Sequence, residues 1–549
     1  MGRRGTATVQ SPGRRRFARS GLAAISGILA TTDSPVPQPM LNTALSRFPR
    51  LALAALAFAA QVAMAEPRLP TPLEAAEYRR ISTSAEISAY MDRIAEAVPF
   101  ARKELVGTSV QGRPIEALVF RDHAGEDDAT RLTLMVIGSQ HGAAEPAGGE
   151  ALMTIARDFA FGELRPLLAD ADVILLPNAN PDGRDLVRRS NANRVNINVD
   201  FVLVEQAETR VLKAALARYQ PEALLDSHES AILKRKTLAK DGYLTDFEAQ
   251  FEIANVAGLT RAMRSFTLDD LLPALNAKVT AAGLPAHRYI GEITSIRQPI
   301  THGGLTLRNF RNTAGMSGAV SFLVETKLDS REDSFPTWRN IAVRVDKQLI
   351  CIRSFLRLMH ERRGDVLAAV ARAREDGARE ELTLYAGYVR DPAHPEVKIP
   401  MRRLDTRELE ELTFRDHRKV DYADTIPLPS TLLVVDHQAA IAEVLDRHGV
   451  LYDTLEDPMT VTVQASRYTV PANNLDRARA TASARREIDV PAGTLAIDVA
   501  QPHGRLAVLL LDPRSTSSVF RFPGYATLLA PGREHFVLPV FKGVARAAP

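Results

Sequence analysis

Cysteine is almost missing from this chain: Cys351 is the one thiol in 549 residues. That excludes an intrachain disulfide and any all-cysteine metal site. Aromatic residues make up only 6%, with a single tryptophan. The surplus of basic over acidic residues is just three, and it is unevenly placed. Residues 1–65 hold eight arginines against Asp33 alone, which leaves 61 basic and 65 acidic residues in the remainder. No basic stripe with interleaved aromatics survives in that remainder, so a nucleic-acid partner is excluded. The 45% hydrophobic content rules out wholesale disorder. The length predicts roughly two to four domains.

Long apolar runs are also missing beyond the N-terminal region. From Met40 the sequence reads MLNTALSRFPR, then LALAALAFAAQVAMA, closing on Ala63-Met64-Ala65. Two arginines, an apolar stretch and a small-x-small end are the parts of a secretory signal peptide. The stretch is shorter than the ~20 residues of a membrane span. The expectation is a leader over 1–65 with cleavage after Ala65, and a start at Met40 with residues 1–39 lying upstream of it. The segment Gly13–Ala30 is loosely similar to a twin-arginine signal. Both readings predict export to the periplasm or the exterior, with no stable membrane span after cleavage.

The stretch from Glu66 to Pro99 reads as an amphipathic, partly helical lead-in to a catalytic domain spanning 66–378. Short β-type runs then alternate with helical segments, the pattern of an α/β sheet. A long helix is expected from Trp338 to Gly377, its run ARAREDGAREE forming a solvated face. From 379 to 549 the texture changes to short strands (TLLVVD, MTVTVQA, TLAIDVA) with a helix near His437–His448. This predicts a smaller, mostly-β accessory domain that carries no chemical site.

Chemistry is concentrated where four β-type runs end. RLTLMVIGSQ leads into His141–Glu145, ADVILLP into Asn178–Gly183, PEALLD into Ser227-His228-Glu229, and GAVSFLV into Glu325. Open α/β sheets bind ligands beyond the carboxyl ends of their strands, so four polar strand ends predict one convergent site. Two imidazoles and a carboxylate (His141, His228, Glu145) make a catalytic zinc set with a position left for water. A further carboxylate, Glu325, is placed to take that water's proton in amide hydrolysis. Each motif alone has a plainer reading: a turn at His141-Gly142, a surface Ser-His-Glu, or an ion pair from Glu325 to Arg308 or Arg311.

Taken in order, GSQHGAAEPAGGEA, PNANPDG, RRSNANRVNINVDF, LLDSHES and SFLVETK resemble the motif set of the zinc carboxypeptidases of the carboxypeptidase A type. The resemblance spans Leu134 to Lys327. It implies a mixed central sheet flanked by helices, one zinc per chain and a peptide substrate. It makes His141, Glu145 and His228 the zinc ligands and Glu325 the general base. Asn198 falls where the family holds the substrate's terminal carboxylate. Arg189 is the candidate for polarising the scissile carbonyl, with Arg184 and Arg188 as neighbours in register.

Three departures accompany the resemblance. Three residues, one more than in the family pattern, separate His141 from Glu145, with Glu150 as a competing carboxylate. Val199 replaces an arginine that would clamp the terminal carboxylate, leaving Arg308 or Arg311 to supply that charge. Asn196 stands where an aspartate would orient the first zinc histidine; Asp226 is another candidate for such a supporting role. The readings that remain are an exported zinc carboxypeptidase, a zinc amidohydrolase of the succinylglutamate desuccinylase and aspartoacylase kind, and a non-catalytic peptide binder. A serine hydrolase is excluded, because no G-x-S-x-G elbow surrounds Ser317.

Overall fold

The structure is a computed structural model and describes residues 69–122, 130–230, 238–245, 247–328, 340–377, 381–469, 478–530 and 532–541. The expected leader lies outside the described residues. The chain from Arg68 onward is one compact unit. Among the described residues, no helix is long and apolar enough to cross a membrane.

The central element is a mixed eight-stranded sheet. Its strands are β1 (Ala101–Thr108), β2 (Pro114–Phe120), β3 (Leu132–Ile137), β4 (Ala171–Leu176), β5 (Ala223–Ser230), β7 (Ala249–Ile253), β8 (Ala286–Arg288) and β9 (Val320–Lys327); β6 (Tyr243–Thr245) belongs to another sheet. The spatial order is β1-β2-β4-β3-β5-β9-β7-β8. The strands β4, β3, β5 and β9 run parallel, flanked by antiparallel pairings on both sides.

Alternation along these strands supplies two buried faces. On β3, Leu134 and Val136 join the cluster under helices α1 (Ser84–Ala97), α2 (Ala147–Phe161) and α4 (Ile341–Glu361). Met135 and Ile137 join the opposite cluster under α3 (Ala207–Tyr219). Period-2 side chains with helices on both faces explain why the parallel strands read as nearly continuous apolar runs. Close approach of α2 to β5 depends on Gly148, where a Cβ would meet Ser227 Oγ at 1.9 Å.

The expected long helix is interrupted. It runs as α4 and then α5 (Arg363–Gly377), with Arg362 leaving helical geometry at φ −102°, ψ 20°. The guanidinium of Arg362 is taken by Asp270 at 2.6 Å and Asp365 at 2.7 Å, which fixes the break. Arg372, Arg374 and Glu375 on α5 are exposed, as a solvated face requires.

Beyond α5 the chain is rich in β-structure, with β10 (Leu382–Val389), β11 (Glu396–Arg403), β12 (Leu409–Arg415), β13 (Lys419–Ile426) and β14 (Thr431–Val434). The expected helix spans Gln438–His448. This region is continuous with the first: Val202, Val256 and Leu307 share a buried cluster with Leu382, Leu432 and Ile441. In addition, β11 pairs antiparallel with β6.

Candidate active site

The strand ends converge as their sequence pattern predicts. β5 and β9 are parallel neighbours, and their register sets His228 opposite Glu325. His141 and Glu145 bracket a single 3-10 turn (Gly142–Ala144) at the end of the loop after β3. That turn absorbs the extra residue between them. Gly142 has φ +53°, and a Cβ there would meet the Gly183 carbonyl carbon at 2.5 Å, so the turn depends on glycine.

His141, Glu145 and His228 are all buried, and one ligand atom from each lies within 4.8 Å of the others. His228 Nδ1 is 3.1 Å from Glu145 Oε2, and His141 Nε2 is 4.0 Å from the same oxygen. The other nitrogen of His228, Nε2, faces Asp226 Oδ1 at 3.0 Å. Asp226 is itself held by Gln140 Nε2 at 2.7 Å. A carboxylate behind a metal-binding imidazole fixes its orientation and raises its basicity. Two imidazole nitrogens and one carboxylate oxygen gathered in a buried pocket suit zinc, and Asp226 supplies the outer support such a site needs.

The electrostatics of Glu145, His228 and Glu325 reflect how closely their charges are gathered. Burial pushes the Glu145 carboxyl up, but the charges of His141, Arg189 and His228 outweigh it and hold it well below the carboxylate range. Burial pushes His228 down, while Asp226 and then Glu145 raise it well above the usual imidazole value. Glu325 is pushed up to about 8 by burial and then by the charge of Glu145. Its Oε2 has no hydrogen-bond partner among the described residues.

A cavity of about 160 Å³ opens beside this cluster. Glu145, Arg189, Glu229, Glu292 and Glu325 supply its charged lining, and Leu238, Thr245, Gln250, Tyr289, Ile290 and Ile293 supply most of the rest. Arg189 is bonded to Glu145 Oε1. Two residues before it stands Val187, a β-branched residue held at φ 52°, a conformation that costs on the order of 1–3 kcal/mol. Arg184, by contrast, is buried and bound to Glu150, Ser82 and Ser139. That pairing also accounts for Glu150: its Oε1 takes Arg184 at 2.8 Å and the Ser82 amide at 2.8 Å, away from the ligand cluster.

The remaining residues singled out in the sequence lie elsewhere. Asn198 is behind His228, its Nδ2 3.4 Å from His228 Nε2 and its Oδ1 accepting from the Phe310 amide at 3.0 Å. Asn196 accepts from the Asn198 amide and so caps its own turn. Neither Arg308 nor Arg311 lines the cavity. Arg308 is exposed, with its guanidinium 5.8 Å from the Phe522 ring centroid. Arg311 is buried and donates to the Ile253 carbonyl, Asn255 Oδ1 and the Gly304 carbonyl. Burial drew its donors into the protein, so it supplies no clamp for a carboxylate in the cavity.

Several supporting residues carry no signal in the sequence. On α4, Arg344 grips Glu229 at 2.6 and 2.9 Å, and Glu229 also accepts from the Ala147 amide at 3.0 Å. This ties β5 to the start of α2, two residues beyond Glu145. One turn further along α4, Gln348 donates to the His228 carbonyl at 2.8 Å and to Thr326 Oγ1 at 2.9 Å. It therefore locks the β5–β9 register that sets His228 beside Glu325. These partners are more than 20 residues apart in sequence, and only the fold brings them together.

Several known proteins are similar to this chain. The sequence model described as zinc carboxypeptidase matches residues 87–211. Carboxypeptidase 2 of Trichophyton tonsurans is 24% identical over 413 residues, covering 71% of this chain and 74% of its own. Carboxypeptidase E of Caenorhabditis elegans is 32% identical over 145 residues, covering 23% of this chain and 30% of its own. Among solved structures, a metallo-carboxypeptidase from Pseudomonas aeruginosa aligns at 21% identity and a TM-score of 0.38, covering 52% of this chain and 69% of that one. The segment similar to the zinc carboxypeptidases carries His141 and Glu145, and the sheet brings His228 and Glu325 to them.

Proposed function

We propose that this protein is a zinc metallopeptidase that hydrolyses a peptide bond by carboxypeptidase-type release of C-terminal residues. The observation that carries this reading is the convergence of His141, Glu145 and His228 within 4.8 Å, with Glu325 in register beside His228. Zinc held by those three ligands would supply a Lewis acid and lower the pKa of a water toward about 7.

The chain's own residues account for the rest of the chemistry. Glu325 lines the cavity and its buried Oε2 has no hydrogen-bond partner among the described residues, so the carboxylate can take a proton from the attacking water and return it to the leaving nitrogen. Its elevated pKa arises partly from the charge on Glu145. Once that charge is engaged by a cation, the ionised form a base requires is populated near neutrality. Arg189 is the cation on the cavity wall, and it donates to the carbonyl oxygen as negative charge develops there. To do so it exchanges its present partner, Glu145, for substrate.

The missing arginine clamp favours one second reading, a zinc amidohydrolase acting on small N-acyl amino acids. Val199 stands in the clamp position, and Arg311 donates to Ile253, Asn255 and Gly304 instead of lining the cavity. N-blocked dipeptides with free and amidated C-termini distinguish the two. Preferential cleavage of the free acid supports a carboxypeptidase, whereas cleavage of N-acyl amino acids with neither dipeptide attacked supports the amidohydrolase. Export, read from residues 40–65, belongs to the same proposal and is tested by the N-terminal sequence of the protein recovered from the secreted or periplasmic fraction.

A further inference from the structure

The far wall of the cavity is not a free-standing loop. Leu238, Ile290 and Ile293 line the cavity and also belong to a buried cluster with Ile399, Met401 and Phe414 from β11 and β12. The same side chains therefore bound the cavity on one side and pack against the β-rich C-terminal region on the other, with no layer between. Backbone pairing reinforces the contact. Thr245 of β6, which lines the cavity, is the register partner of Met401, and Leu244 and Tyr243 pair with Arg402 and Arg403.

The loop carrying Ile290 and Ile293 is fastened at its end to the same region. The Ile300 amide donates to the Arg415 carbonyl at 3.0 Å, and the His417 amide donates to the Ile300 carbonyl at 2.9 Å. Three residues on, the Tyr388 hydroxyl of β10 donates to the Gly303 carbonyl at 2.6 Å. Met401 is fully buried and Phe414 nearly so, which means their bulk is translated into the position of the cavity wall.

We propose that Met401 and Phe414 are positioning residues that set the size of the substrate side chain accepted beside the catalytic cluster, acting through Leu238, Ile290 and Ile293. The β11–β12 hairpin is then a specificity element of the catalytic cavity, although it supplies no reacting group. This inference rests on the peptidase reading for its substrate, a residue released from a peptide. The position of the wall can be tested separately from that reading.

The test uses the full chain and N-blocked dipeptides that differ only in a terminal alanine, leucine or phenylalanine. Met401→Ala and Phe414→Ala should raise kcat/KM for the phenylalanine peptide relative to the alanine peptide by about tenfold. The change should come through KM, with bound zinc and kcat on the alanine peptide held within about twofold; Met401→Leu should restore the original ratio. An unchanged ratio, or an equal loss of kcat across all three peptides, overturns the proposal.

If the parent protein cleaves none of these peptides, the peptidase reading fails, and a cysteine probe decides the role of the wall. Thr245→Cys places a thiol on the cavity, while Cys351 stays buried and silent. Adding Met401→Ala should speed modification by a bulky maleimide several-fold, yet leave the rate with a small methanethiosulfonate unchanged. Equal maleimide rates with and without Met401→Ala overturn the proposal independently of activity.

Discussion

The two walls of the cavity are built from different chemistry and from different stretches of the chain. One is charged, made of Glu145, Arg189, Glu229 and Glu325, and comes from loops and strand ends of the central sheet. The other runs from Leu238 to Ile293, is mostly apolar or neutral apart from Glu292, and packs through Leu238, Ile290 and Ile293 on the C-terminal strands. The difference separates two tasks. In the proposed reading the charged wall would hold a metal and move protons, with its supports (Asp226, Arg344 and Gln348) fixing orientation, and the apolar wall would decide what fits. Substitutions in the first should therefore act on kcat or metal content, and substitutions in the second on KM and selectivity.

The strongest challenge to this division comes from Arg189. Arg189→Ala should lower kcat by about 10²–10³-fold while zinc content is unchanged, because it removes a donor to the developing negative charge. Steady-state kinetics with metal analysis check this, and an effect confined to KM would erase the distinction between the walls.

Asp226→Asn keeps the shape behind His228 but removes the charge. It should weaken zinc binding by about 10–100-fold in a chelator competition.

On the opposite wall, Ile293→Ala should change KM for a bulky terminal residue by about tenfold and leave kcat nearly constant. It should also cost about 2–5 kcal/mol of stability, read from denaturant midpoints.

A further expected effect, on stability alone, concerns the C-terminal region. Burial depresses His535 from 6.5 to about 4. Above pH 6.5 it is neutral both folded and unfolded and adds no pH dependence. As pH falls from 6.5 toward 4 the unfolded chain takes up the proton first, so stability is lost across that window, by about 3 kcal/mol from this group. His302 is depressed to about 4 as well, by burial and then by Arg288, and adds a loss of the same sign. His535→Gln should flatten the fall in denaturant midpoint between pH 7 and pH 4.5, and an unaltered slope would contradict this.

Much of the charged wall was legible because local sequence rules coincide there. Apolar runs that form β3, β5 and β9 end in His141, His228 and Glu325, and strand ends are where ligands gather. The irregular spacing from His141 to Glu145 looked like a departure and is absorbed by one 3-10 turn around Gly142. The arginines were harder to read, because a guanidinium seeks whatever acceptors the fold offers. Asn255 and two carbonyls claimed Arg311, and Glu150 claimed Arg184. The break at Arg362 was hidden for the same reason, since it depends on Asp270, far away in sequence. The apolar wall was illegible altogether. Its short β6 strand and the loop bearing Ile290 and Ile293 have no periodicity of their own and take their positions from β11 and β12.

The central claim is that Glu325 is the base and His141, Glu145 and His228 are the ligands. Glu325→Gln tests it most directly, with turnover and bound zinc measured on the same preparation. The account predicts a fall in kcat of about 10²–10⁴-fold with close to one zinc per chain retained. Turnover within a few-fold of the parent, or loss of zinc along with activity, would contradict it.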